Sequence, residues 1–125
     1  MKASFPIGVD ILEWKKARSF YRAHRERLGQ WLTQEERSFV EKRSKPHEAF
    51  AMLFAAKEAV FKAVGARGFG PDALRSIRLE PRPQGRFGVV DHARLEVAIR
   101  RHRRHVVACC YSLKASANTA SADRS

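Results

Sequence analysis

The chain has no apolar run near the roughly 18 residues that a membrane span needs, and no apolar leader segment at its N-terminus. A cytoplasmic protein with no membrane anchor is the expectation. Cysteine is equally scarce: the only two, Cys109 and Cys110, are adjacent. Strand alternation sends such neighbours to opposite faces, which suits neither a disulfide nor a shared metal. They read as small buried apolar residues in a reducing compartment. No internal repeat is visible. Acidic residues are the third shortage, 13 Asp and Glu against 25 Lys and Arg, for a net charge of +12 and a pI near 10.7. That imbalance favours polyanionic partners, whether nucleic acid, acidic membrane, acidic protein or phosphorylated small molecule, and does not choose among them.

What is present suits one small domain. At 125 residues and 44% apolar content, the core is modest, and burying further surface in an oligomer would be natural. Residues 4–12 read as a strand, with Ile7, Val9 and Ile11 alternating against Gly8 and Asp10. Asp10 is out of place in a strand; it either caps the next element, faces solvent, or is held for a purpose. Residues 13–29 read as a helix with Trp14, Ala17, Tyr21 and Leu28 inward and Gly29 as its stop. Lys15, Lys16, Arg18, Arg22 and Arg25 crowd that helix with like charge, either as a solvated face or as a docking site for an acidic partner. Thr33 with Glu36 fits a capping box opening a helix that runs to about Arg43, with Phe39 and Val40 inward. The segment 66–71 is a glycine-rich loop, either a phosphate cradle or a plain connector. Beyond it come strands around Ile77–Leu79, 86–90, 95–99 and 106–113, with a turn at Pro83-Gln84-Gly85 and a charged tip at Arg100–His105. The predicted layout is α+β, a single domain over 1–114: one N-terminal strand, three helices, then an antiparallel meander packed on the central helix. Residues 115–125, rich in Ser and Ala, read as a disordered tail.

The central helix starts at Pro46 and stops at Gly65, proline being suited to a first turn and glycine to the position after the last. At about 100° per residue, Phe50, Leu53, Phe54, Phe61 and Val64 share a stripe, and small or apolar residues cover most of the rest. Glu58 and Lys62, neighbours at i,i+4, share their strip only with Ala51 and Ala55. Two readings stand. One is a salt-bridged pair on the single solvated strip; the other is a site where small residues let something approach a carboxylate and an ammonium.

Gly8-Val9-Asp10-Ile11 and Phe54-Ala55-Ala56-Lys57-Glu58-Ala59-Val60-Phe61-Lys62-Ala63-Val64-Gly65 together resemble the two signature motifs of 4′-phosphopantetheinyl transferases, the short holo-[acyl-carrier-protein] synthase type above all. Leu32-Thr33-Gln34-Glu35-Glu36 is similar to the segment opening that family's second helix. The resemblance implies transfer of the phosphopantetheine arm of coenzyme A to a serine of an acidic apo acyl or peptidyl carrier protein, with release of 3′,5′-ADP. It implies Mg²⁺ held by Asp10 and Glu58, Lys62 as a phosphate contact and catalytic group, and Lys57 and Gly65 beside the cofactor. For Lys57 a packed stem with its head turned outward is the stronger reading of the residues. Mg²⁺ chemistry agrees, since that ion uses one or two carboxylates plus substrate phosphates. The serine proton could leave to Glu58 or through a metal-bound water; the residues do not decide between them, and Glu58 is the candidate put forward. Lys15, Lys16, Arg18, Arg22 and Arg25 become the carrier-docking face, and the family's trimers make a homotrimer the expected assembly. The family's Ser-His pair is replaced by Arg100-Arg101 after Val97-Ala98-Ile99, and its Gly-Lys-Pro turn reads Gly85-Arg86-Phe87. Residues for the nucleotide of coenzyme A are therefore not carried over, and neither is the choice among fatty acid, polyketide and peptide carriers. Two alternatives remain: a degenerate relative that binds carrier or coenzyme A without transfer, and a nucleic-acid-binding module using Arg100–Arg104.

Overall fold

The computed structural model describes residues 6–65 and 70–113. The tail assigned to 115–125 and most of the glycine-rich loop lie outside the described residues. Strand β1 (Ile7–Glu13) runs directly into helix α1 (Trp14–His24) and a 3₁₀ segment at Arg25–Gln30. Helices α2 (Gln34–Glu41), α3 (Pro46–Val64) and α4 (Pro71–Ser76) come next, then strands β2 (Leu79–Arg82), β3 (Arg86–Val89), β4 (His92–Arg101) and β5 (His105–Ser112). The strands form one antiparallel sheet in the order β1-β5-β4-β3-β2. Helix α3 lies chiefly on β1 and β5, with α1 and α2 against its other sides. The α+β layout predicted from the sequence is the one observed.

Local chemistry fixes the element ends. Thr33 Oγ1 accepts the Glu36 N–H at 3.2 Å while Glu36 Oε1 accepts the Thr33 N–H at 2.8 Å, a complete capping box at the start of α2. Pro46 opens α3, and Gly65 closes it with a left-handed φ of 65° that glycine adopts without strain. Gln84 and Gly85, both at positive φ, make the predicted β2–β3 turn.

Three elements differ from the sequence reading. Helix α1 stops at His24, whose own φ of −118° leaves the helical range, and the chain continues as 3₁₀ turns with a further kink at Arg27 (φ −122°); Gly29 is not its terminus. Helix α2 ends at Glu41, short of Arg43. Helix α4 has no counterpart in the sequence reading: with six residues from Pro71 onward, it is too short to show a period. Two burial assignments also change. Ala51 and Ala55 are fully buried, so they do not form part of a solvated strip. Val64, in the last turn of α3, is 42% exposed and lies off the core. Cys110 is buried and Cys109 half-buried, neither in a disulfide, and burial above all pushes the Cys110 thiol up to about 11. Among the described residues no helix is long and apolar enough to cross a membrane.

Candidate active site

Strand β1 alternates as its sequence suggests, but in the less usual phase. Gly8 and Asp10 face the helices and are buried, whereas Ile7, Val9 and Ile11 are 64%, 45% and 61% exposed on the outer face. Gly8 explains why. A Cβ built there would lie 1.9 Å from the Ala59 carbonyl oxygen and 2.6 Å from the Ala63 nitrogen, so the backbones of β1 and α3 touch at this point. Any side chain at position 8 would force them apart. Two residues further along the same strand face, Asp10 therefore comes against the Glu58–Lys62 turn of α3.

Lys62 Nζ lies 3.0 Å from Asp10 Oδ1 and also donates to the Val9 carbonyl at 3.2 Å. The ion pair is thus between Asp10 and Lys62, not the Glu58–Lys62 pair that helical spacing offers. Asp10 is 7% exposed, and its second oxygen, Oδ2, is buried with no hydrogen-bond partner. Glu58 is close enough to Asp10 to share a proton with it. Its pKa is pushed up to about 7, mainly by burial, then by the Asp10 charge and that hydrogen bond, with Lys62 opposing. Two carboxylates and a buried oxygen without a donor want either a proton or a cation between them. The donor set is hard oxygen only. Among the described residues no group of three or more His, Cys, Asp and Glu gathers to hold a metal. A site of two carboxylates is incomplete for most metals but sufficient for Mg²⁺ completed by waters and substrate phosphates. The residues present fit that ion.

Lys57 is corrected outright. Its ammonium does not reach outward past the aromatic arc of α3, as a cofactor-binding role would require. It is fully buried, 2.7 Å from Glu36 Oε1, and donates to the Trp31 carbonyl at 3.0 Å and the Leu74 carbonyl at 2.8 Å. Burial depresses its pKa, and the Glu36 carboxylate counters that. Glu36 also accepts the Leu79 N–H at 2.8 Å, so one carboxylate ties together α2, α3 and the start of β2. Its capping role was legible in the sequence, whereas a lysine pairing with it from α3 had no local signal. Gly65, the other residue placed beside the cofactor, is exposed at the C-terminus of α3, with its N–H turned back to Lys62 and Phe61 carbonyls.

Lys15, Lys16, Arg18, Arg22 and Arg25 are all exposed along α1 and its 3₁₀ extension. None of them pairs with a carboxylate among the described residues. Arg101, which stands where the resemblance expects histidine, does not join the carboxylate pair. Its guanidinium sits 2.6 Å from Glu48 Oε1 and lies over the Trp14 ring at 4.7 Å from the centroid. That hydrogen bond is the main reason Glu48 titrates below its ordinary value.

The profile of the 4′-phosphopantetheinyl transferase superfamily matches residues 6–110. A protein of Chlamydia trachomatis serovar D called holo-[acyl-carrier-protein] synthase is 40% identical over 62 residues, 49% of this chain and 52% of its own. A Moorella thermoacetica protein of the same name is 33% identical over 87 residues, 70% of this chain and 67% of its own. The chain spans about half the length of the curated chlamydial relatives it matches. Among solved structures, holo-[acyl-carrier-protein] synthase from Neisseria meningitidis superposes with a TM-score of 0.72 at 25% identity, covering 86% of this chain and 96% of the other. The synthase from Bacillus anthracis, solved in complex with CoA (3′,5′-ADP), gives 0.69 at 27% identity and covers 86% and 94%.

Proposed function

The chain belongs to the 4′-phosphopantetheinyl transferase superfamily, and from that premise we propose that it transfers the phosphopantetheine arm of coenzyme A to a serine of an apo acyl carrier protein. The observation that carries the reading is the meeting of Asp10, Glu58 and Lys62 at the Gly8 crossing, three ionisable groups from two distant motifs on one buried-to-exposed ledge. Relatives named for that activity, and a neighbour solved with CoA (3′,5′-ADP), support it.

In the proposed reaction the serine oxygen attacks the phosphorus that carries the pantetheine arm. A P–O bond forms to the serine, and the P–O bond to the nucleotide half breaks, releasing 3′,5′-ADP. Asp10 and Glu58 would hold Mg²⁺, which when bound neutralises pyrophosphate charge. Lys62, anchored on Asp10 yet half-exposed, presents its ammonium to the same phosphates. Glu58, the carboxylate beside the serine's point of attack, receives the serine proton. Asp10 orients Lys62. The exposed stripe on α1 is the docking face for the acidic carrier. The outer face of β1, with Ile7, Val9 and Ile11 bare beside half-exposed Val107, Cys109 and Tyr111 of β5, is where the other copies of a homotrimer pack, the trimer being inferred by family likeness. Free thiols and the lack of a membrane-crossing helix among the described residues agree with a cytoplasmic site of action.

The test is transfer itself. Incubated with coenzyme A, Mg²⁺ and an apo acyl carrier protein, the protein should add one phosphopantetheine to the carrier's intact mass. An unchanged mass with every fatty acid, polyketide and peptide carrier tried would overturn the reading.

A further inference from the structure

The arginine cluster after β4 is not used by the proposed chemistry, yet the fold holds it in a fixed place. Trp14, the first residue of α1, receives the β4–β5 turn in three ways. Its backbone N–H donates to the Arg104 carbonyl at 3.0 Å, its indole N–H donates to the His102 carbonyl at 2.8 Å, and its ring carries the Arg101 guanidinium. Arg101 is in turn held by Glu48 of α3, and the turn closes on itself with the His102 N–H on the His105 carbonyl at 2.8 Å. The tip is therefore tied to the start of α1 and does not depend on a partner for its position.

Between the tip and α1 lies a cleft of about 460 Å³ lined by Glu13, Trp14, Lys15, Arg18, Arg103 and Arg104. The four cations are exposed and, among the described residues, none is within ion-pair distance of a carboxylate. Keeping four like charges around one cleft, with Glu13 as the one acid in its wall, costs stability through mutual repulsion. Glu13, the single acid in the wall, is turned toward His105 at 3.9 Å. The cleft opens at the end of α1 that adjoins β1, the strand carrying Asp10, and the stripe Arg18, Arg22 and Arg25 leads away from it over about 10 Å of helix and 3₁₀ turn.

We propose that the β4–β5 turn is a second docking element for the acidic carrier protein, with Lys15, Arg18, Arg103 and Arg104 gripping the end of the carrier's acidic helix nearest the target serine. This rests on the transferase reading and adds a specificity determinant to it. A protein helix fits better than a small phosphate. Its carboxylates, repeated at i,i+4, meet cations spread over two elements, whereas a single small anion in the cleft would leave the stripe unused.

The experiment uses the full chain with Arg103→Glu/Arg104→Glu and, beside it, Arg103→Ala/Arg104→Ala. The carrier KM should rise by about tenfold or more in the first and less in the second. kcat and the coenzyme A KM should change by less than about twofold, and the salt dependence of the carrier KM should flatten. If the charge-reversed protein does not fold, the alanine pair decides on the same readouts. A carrier KM that stays at the wild-type value overturns the proposal, and so does a rise in the coenzyme A KM in its place, which would assign the cleft to a small phosphate. Binding of apo carrier is measured separately by interferometry. Carrier binding that is lost on charge reversal, in a protein that transfers nothing, would sink the transferase reading and keep the docking element. Wild-type protein that binds no acidic carrier would remove the docking element.

Discussion

Burial and the neighbouring Asp10 carboxylate hold Glu58 at about 7 instead of its ordinary 4.5, so that at neutral pH the group is poised between its two charge states. Between those values the folded chain binds a proton at Glu58 that the unfolded chain has lost. The contribution of this group therefore favours the fold below about 4.5, declines as pH rises to about 7, and is fully unfavourable above. The difference in Tm between the wild type and Glu58→Gln, measured without divalent ions, should fall over that window and level off above it. A flat difference would show that neither burial nor Asp10 raises Glu58. Lys57 makes the opposite case, a charged residue in the signature helix that serves the fold. Lys57→Met leaves Glu36 buried without its cation and should cost about 3–5 kcal/mol in urea unfolding. Coenzyme A KM in the folded fraction should stay unchanged; a small stability loss with a large KM rise would return Lys57 to the cofactor.

At the scale of elements, the contact between β1 and α3 decides whether the carboxylates meet at all. Gly8→Ala places a methyl group on the Ala59 carbonyl, which cannot move without shifting the helix. The expected cost is about 1–3 kcal/mol, with transfer lost beyond that penalty because Asp10 and Glu58 separate. Full activity at wild-type stability in this variant would show that the close approach is not needed. Much of this was legible in the chain. Pro46 and Gly65 bounded α3, Thr33 and Glu36 capped α2, and Asp10 in a strand was flagged by its own misfit. What could not be read is tertiary. Alternation gives a strand's period but not its phase, so it did not show that Ile7, Val9 and Ile11 face out while Asp10 faces in. The burial of Ala51 and Ala55 and the Glu36–Lys57 pair likewise depend on which surface each helix face meets. Helix α4 and the end of α1 at His24 are too short or too irregular for a periodic signal.

At the scale of the whole molecule, the described residues leave one apolar and one basic surface to be partnered. The outer face of β1 exposes three aliphatic residues in a row on a sheet edge, a place where soluble proteins usually avoid them. Ile11→Glu should convert the trimer we infer into monomers by light scattering while leaving the monomer's far-UV spectrum intact. A wild-type protein that is monomeric at micromolar concentration would leave that face without its proposed cover. The basic surface is set apart from the apolar one in chemistry, and in the proposed reading it serves a different partner, the acidic carrier.

The central claim is that Asp10 and Glu58, brought together at Gly8, make this chain a phosphopantetheinyl transferase. Intact-mass analysis of an apo acyl carrier protein after incubation with coenzyme A and Mg²⁺ tests it most directly, run in parallel with wild type and Glu58→Gln. Wild type should load the carrier with one phosphopantetheine. Glu58→Gln, with a Tm at pH 8 equal to or above wild type, should slow loading by about 10²-fold or more. Loading by Glu58→Gln at the wild-type rate, or a carrier whose mass never changes with the wild type, would contradict the account.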